Sequence, residues 1–170
     1  GIFYKYHFAN GRKSMEALYS IFAATPNLID MSLVSSPYHG VQMQGLASVL
    51  SKYKYDTSFL HAGKTGTMFF NVMAKRLGFA HYYGKEDYPE AKDFDGNWGI
   101  FDEPYLQYCV DIFNQKKQPF FAAIFTLSSH NPYTIPEHHK DRFASGSLPI
   151  HRSVRYTDYA LKKFFASAQK

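Results

Sequence analysis

YDTSFLHAGKTGTMFFNVMAKRLG, residues 55–78, holds a strand, a glycine-bearing loop and a helix in direct succession. Tyr55 to His61 is β-prone, HAGKTGT breaks the run, and Met68 to Leu77 is apolar with helical spacing. Gly78 follows as the residue that ends a helix in the left-handed conformation. Two strands joined through such a unit must lie parallel, because the helix returns the chain to the edge where it started. The second diagnostic run is Pro119 to Leu127, whose FFAAIFTL is apolar at every pleat and predicts a central strand covered by helices on both sides. Together they predict an α/β fold, a mostly parallel sheet with helices on both faces.

Working outward, Ile2 to Phe8 is aromatic and predicts a short strand, which Asn10-Gly11 turns into a helix spanning about Lys13 to Ala24. Met15, Leu18, Ile21 and Phe22 carry its apolar spacing, Ser14 is a permitted N-cap, and Pro26 stops it. A second helix is expected from Val41 to about Tyr53 with Leu46, Val49 and Leu50 inward. Phe79 to Tyr83 suits a short strand. Gly84 to Gly99 is an acidic surface excursion anchored by Trp98. Phe101 to Gln115 resumes helical spacing, with Asp102 as N-cap and Pro104 in the first turn. Ser147 to Ala168 supplies a last helix, with Val154, Tyr156, Tyr159, Leu161 and Phe164–Phe165 as its apolar face. An α/β chain that ends on a helix is expected to return to the sheet, and the opening lacks an initiating Met. The expectation is a piece of a longer protein whose open sheet edge could pair with a second copy.

At 170 residues the chain suits one domain, and 45% hydrophobic with 18% aromatic residues is a composition that folds rather than one that stays disordered. The net charge of +5 comes from scattered pairs such as Lys75–Arg76 and Lys162–Lys163. That scatter gives no nucleic-acid signature and reads first as solvated helix ends, with binding to an anionic substrate or lipid surface as the second reading. The single Cys109 excludes an internal disulfide and reads as a small buried apolar residue. No apolar run is long enough to span a bilayer, so this segment is expected to be soluble.

Ser14 stands where an extended entry gives way to a helix, a place that holds a hydroxyl on a rigid scaffold while facing solvent. As a cap alone it would contribute about 1 kcal/mol. His130 in Ser-His-Asn-Pro could cap a turn or contact a ligand, and His61 at a strand end is open in the same way. His138 and His139, with Glu137 and Asp141, invite a metal reading, but adjacent histidines on a helix point apart, so an exposed helix start is the expectation. Trp98 reads as a loop anchor before a sugar-stacking platform.

Five segments, NGRKSMEALYSIFAATPNL, HAGKTGTMFF, DFDGNWGIFDEP, FTLSSHNPYTIP and SVRYTDYALKKFF, occur in order over nearly the whole chain. Together they resemble consecutive motifs of the sulfatase-like, lipoteichoic-acid-synthase branch of the alkaline phosphatase superfamily. The resemblance implies that residues 1–170 are the N-terminal and central part of such a domain, without its C-terminal metal-binding part. It implies metal-dependent transfer or hydrolysis of phosphate or sulfate esters, lipid- or glycan-linked, on the extracytoplasmic side of a membrane, with phosphoglycerol transfer first and sulfate-ester hydrolysis second. A non-catalytic envelope domain on the same fold is the rival of another class. By resemblance Ser14 is nucleophile and metal ligand, His130 contacts the substrate phosphate, and His61 lines the same cleft. The implied cation is Mn2+, Zn2+ or Ca2+ in the full-length protein. The remaining ligands fall outside this segment, so the segment alone is expected to bind no catalytic metal and to be inactive. Where lipoteichoic acid synthases show Trp and Arg after the cleft histidine, this chain has Gly66-Thr67-Met68-Phe69-Phe70.

Overall fold

In the computed structural model, which describes residues 3–169, three parallel strands form one sheet: β1 (Asp56–His61), β2 (His81–Tyr83) and β3 (Phe120–Phe125). The order is β2-β1-β3, with Ser58 beside both His81 and Ala122, and His61 beside Phe125. The central strand is therefore β1, not β3 as the apolar run predicted. Every β1 residue after Asp56 is buried, whereas β3 is half-buried along its length and pairs, among the described residues, with β1 alone. A continuous apolar run reports cover on two faces and says nothing about neighbours along the edges. The polar residues that disguised β1 are small and locally satisfied. Thr57 Oγ1 donates to the Gly78 carbonyl and accepts from the Ala80 N–H, and Ser58 Oγ reaches Asp56.

Helices cover both faces. On one lie α1 (Ser14–Ala23), α2 (Leu46–Ser51) and α3 (Phe70–Arg76), packed around Phe59, Phe70, Met73, Leu77 and Phe79. Phe22 of α1 meets Phe59, Phe79 and Phe121 edge to face, so one ring ties the helix to all three neighbours. On the other face α4 (Asp102–Asn114) and α5 (Ile150–Ala168) enclose Leu60, Tyr105, Cys109, Ile112 and Leu127. Cys109 is the buried apolar residue expected of it. Gly78 ends α3 at φ +90, and a Cβ there would sit 2.0 Å from Ser48 Oγ. Glycine is required both for the turn and for the approach of α2.

Four local expectations are corrected. Residues 3–8 form no strand, Ile2 lying outside the described residues; Phe3, Tyr4, Tyr6 and Phe8 are exposed, and β-prone residues without a sheet to pair with gain nothing from extension. Ser14 is the first helical residue, not the cap, and Lys13 holds the cap position. The second helix is short, starting after Gly45, with Ala47 buried and Leu46 and Val49 turned outward. Gly45 lies against the backbone of Leu77, close enough that small residues rather than large ones must face that side. Finally α5 begins at Ile150 and buries Ser153, Tyr156 and Ala160, leaving Val154, Leu161 and Phe165 exposed. Ser153 and Ala160 let α4 approach, Tyr156 and Phe164 fill the contact as expected, and Val154, Leu161 and Phe165 fall outside it.

The entry to α1 is closed by Glu16, whose carboxylate accepts from the backbone N–H groups of Arg12 at 2.6 Å and Lys13 at 3.3 Å. Glu16 is buried, so Glu16→Ala is expected to cost about 1–2 kcal/mol. In a thermal melt that appears as a fall of roughly 2–8 °C. An unchanged melting temperature would show that the helix start is held by other means.

Candidate active site

Ser14 opens α1 with its side chain half-buried, at the rim of a cleft of about 200 Å³. Ala17, Leu18, Ile21 and Phe22 of α1, Phe59 of β1 and Ala123, Ile124 and Phe125 of β3 form its walls. The hydroxyl thus stands at a helix N-terminus, where unpaired N–H groups favour an anion, beside apolar walls that reduce competing hydration. Arg12, two residues before, is engaged by Asp30 at 2.6 Å in an exposed ion pair.

His61 shares the α1 face of β1 with Phe59, being two residues further along the strand. It is 0% exposed, its ring set between Phe70 at 4.8 Å and Phe125 at 5.5 Å. Nδ1 lies 3.0 Å from the Tyr82 hydroxyl, and Nε2 has no partner. A Cβ on Gly63 would stand 2.9 Å from that nitrogen, so glycine leaves the ring its room. Burial pulls the imidazole pKa down to about 4, against the opposing charge of Glu86. His61 is thus neutral near pH 7. Phe125 is common to the cleft wall and to the His61 cage, which places Ser14 and His61 on one side of the sheet.

The low pKa has a stability consequence. Between pH 6.5 and about 4 the unfolded chain protonates His61 and the folded chain does not, so stability falls as pH drops through that window. A shift of that size corresponds to about 3 kcal/mol. His61→Phe should flatten the urea-midpoint profile over this interval, and a variant with the wild-type slope would remove His61 as its cause. Carboxylates act lower: burial pushes Asp56 up, and the Lys116 hydrogen bond and charge more than offset it.

His130 is on the loop after β3, exposed, and is not on the wall of the Ser14 cleft. Its ring lies 4.3 Å from that of Trp98, whose indole N–H donates to the Asn131 carbonyl at 2.7 Å. Trp98 therefore anchors its excursion onto the loop that carries His130. The Leu127-to-His130 segment is itself clamped by Asp102, which the helix-cap reading missed. Asp102 is the first residue of α4 and fully buried, and Oδ1 accepts from the N–H groups of Leu127 at 3.1 Å and Ser128 at 2.9 Å. Oδ2 accepts from Thr157 Oγ1 at 2.6 Å. One carboxylate thus joins α4, the end of β3 and α5. The available signal was an Asp two residues before a Pro; which N–H groups it would meet was not encoded locally.

Among the described residues the one group of three His, Cys, Asp or Glu side chains spaced to share a cation is Glu103, His138 and His139, at α4 rather than α1. The described residues beside Ser14 do not by themselves fit a catalytic cation, which takes several N or O ligands.

The sulfatase family model matches residues 1–170. The chain belongs to the sulfatase family. Its relatives include the lipoteichoic acid synthase-like protein YvgJ of Bacillus subtilis, 27% identical over 128 residues, covering 72% of this chain and 21% of that protein. Lipoteichoic acid synthase of Staphylococcus saprophyticus is 25% identical over 133 residues, covering 75% and 21%. This sulfatase-family chain thus spans about a fifth of the length of the curated relatives it matches. Among solved structures, a protein of the alkaline phosphatase superfamily from Vibrio parahaemolyticus superposes with a TM-score of 0.83 at 25% identity, covering 95% of this chain and 40% of that one. Lipoteichoic acid synthase LtaP from Listeria monocytogenes superposes with a TM-score of 0.81 at 19% identity, covering 95% and 42%. The parallel sheet with helices on both faces is therefore part of an alkaline phosphatase superfamily fold. No described helix is long and apolar enough to cross a membrane.

Proposed function

We propose that this chain is part of an extracytoplasmic enzyme that transfers a phosphate-ester group, with phosphoglycerol transfer to a lipid- or glycan-linked acceptor as the first choice. The observation that carries the reading is the placement of Ser14: a half-buried hydroxyl at the N-terminus of α1, on a cleft walled by β1 and β3 of a sulfatase-family sheet. The likeness to lipoteichoic acid synthases supports the substrate class.

In this reading Ser14 Oγ bonds to phosphorus while the bond from phosphorus to the leaving oxygen breaks. The serine proton goes to solvent, and the departing oxygen is protonated in turn. An acceptor hydroxyl or water then attacks phosphorus and gives up its proton, the bond to Ser14 Oγ breaks, and Oγ takes up a proton to restore the hydroxyl. The N–H groups at the start of α1 face the ester charge, which is most concentrated on the non-bridging oxygens as the new bond forms. Neutral His61 keeps the floor beside the cleft uncharged, and His130, off the cleft wall beside Trp98, is assigned the part of the ester that extends out of the cleft. Metal dependence enters this reading through ligands other than the described residues around Ser14, in the full-length protein.

Sulfate-ester hydrolysis is the second reading, favoured by the family match itself. Turnover of a chromogenic phosphodiester and of an aryl sulfate by the full-length protein, with and without Mn2+, separates the two. Faster diester turnover supports the first reading, and faster sulfate turnover the second. Turnover of neither by folded, metal-supplemented protein would sink both and leave a non-catalytic envelope domain.

A further inference from the structure

We propose that Glu103, His138 and His139 bind a zinc-class divalent cation at a site separate from the Ser14 cleft. One ligand atom from each of the three residues lies within 4.8 Å of the others. His139 Nε2 is 2.6 Å from Glu103 Oε2, and the rings of His138 and His139 are 4.2 Å apart. The adjacent histidines converge although successive residues of the 3-10 turn Glu137–His139 start about 120° apart, because their side chains bend back until the rings meet. That convergence is what the sequence pattern did not show.

The group is built as a ligand set should be. Glu103 is placed by its backbone N–H, which donates to the Tyr156 hydroxyl at 3.1 Å, and by Lys163, which takes Oε1 and leaves Oε2 to face the histidines. Such outer partners orient the ligating atoms. His139 is buried against Phe143, Tyr156 and Tyr159, so its ring direction is set by packing. His138 is exposed and free to rotate inward. Glu103 and His138 border a cavity of about 660 Å³ that Asp93 and Glu137 also line.

Around zinc, nitrogen and oxygen ligands at about 2.0–2.2 Å leave neighbouring ligand atoms roughly 3.3 Å apart. The short contact from Glu103 to His139 must open by somewhat under an ångström, and His138 must close by a larger amount. On binding, Nε2 of His139 gives up its hydrogen bond to Glu103 and ligates as the neutral imidazole, with the ring hydrogen on Nδ1. The cavity leaves the fourth position to water or to an oxygen of a bound molecule. Two imidazoles and one carboxylate suit Zn2+ over Mg2+ or Ca2+, which take all-oxygen shells. The site joins the start of α4 to the turn before α5, on the sheet face opposite α1. It does not depend on the role given to Ser14.

The test is zinc binding by full-length protein, purified without a histidine tag, stripped with chelator and titrated by equilibrium dialysis in excess Mg2+. Wild type and Ser14→Ala should both hold a zinc equivalent that His138→Ala binds at least about tenfold more weakly. Because His138 is exposed, that variant should fold. Glu103→Gln, checked by circular dichroism, should weaken the same equivalent. Loading with Co2+ should give visible absorption of a four-coordinate site in wild type that His138→Ala lacks. Equal zinc stoichiometry and affinity in wild type and His138→Ala would overturn the proposal.

Discussion

Ser14→Ala in the full-length protein is expected to cut phosphodiester turnover by about a thousandfold or more while leaving the melting temperature nearly unchanged. The separation of the two readouts follows from position. Had Ser14 been the N-cap, alanine would have removed a capping bond and about 1 kcal/mol with it. As the first residue inside α1 it gives that bond to no one, Glu16 having closed the helix entry instead. Alanine is the best helix former, so the stability change should stay within about 0.5 kcal/mol. Ser14→Thr keeps the hydroxyl and adds a methyl beside the apolar residues of the cleft, and should retain measurable turnover. Full activity in the alanine variant would remove Ser14 from the mechanism. Equal loss in the alanine and threonine variants would point to a requirement for the cleft's shape.

Replacing Asp102 by alanine is expected to lower the unfolding free energy by about 3–5 kcal/mol. The change strips the acceptor from two backbone N–H groups and from Thr157 in a place that water does not reach. Each unpaired buried donor costs about 1–3 kcal/mol. Asn is the informative comparison. Its amide oxygen can still accept from Leu127 and Ser128, and its NH2 can donate to Thr157 Oγ1, which has Ser129 Oγ 3.0 Å away as an alternative partner. Asp102→Asn should therefore lose about 1–2 kcal/mol, less than alanine. Urea midpoints at constant m report both values, and a loss under about 1 kcal/mol in the alanine variant would show that the clamp is not what holds α4 to the end of β3. The same measurement bears on function, because the clamped segment leads into His130.

Legibility differed from element to element for physical reasons. The β1-to-α3 unit was readable because strand, glycine loop and helix each follow local rules of period and conformation, and Gly78 does sit at positive φ. Which strand is central was not, since hydrogen-bonding neighbours along a sheet edge leave no trace in side-chain polarity. The aromatic residues 3–8 show the same limit from the other side, because propensity without a partner makes no strand. Small residues misled most. Ala47, Ser153 and Ala160 are buried where larger residues were expected, because close helix approach selects for size and not hydrophobicity.

At the candidate site, the residues proposed to carry chemistry were visible by type and by motif: Ser14 at a helix start, His61 at the end of β1 and His130 in the loop after β3. Their environments were not. His61 is neutral and caged because three rings from β2, β3 and α3 converge on it, and His130 is exposed beside Trp98 because two loops meet there. By itself the sequence determined the α/β class, the succession of helices and strands from α1 onward, and membership in the sulfatase family. The tertiary structure alone decided the order of strands, the burial of Asp102, and the meeting of Glu103 with His138 and His139. Local order follows from neighbours within a few residues, whereas burial, pKa and ligand sets depend on side chains brought together from dozens of residues apart.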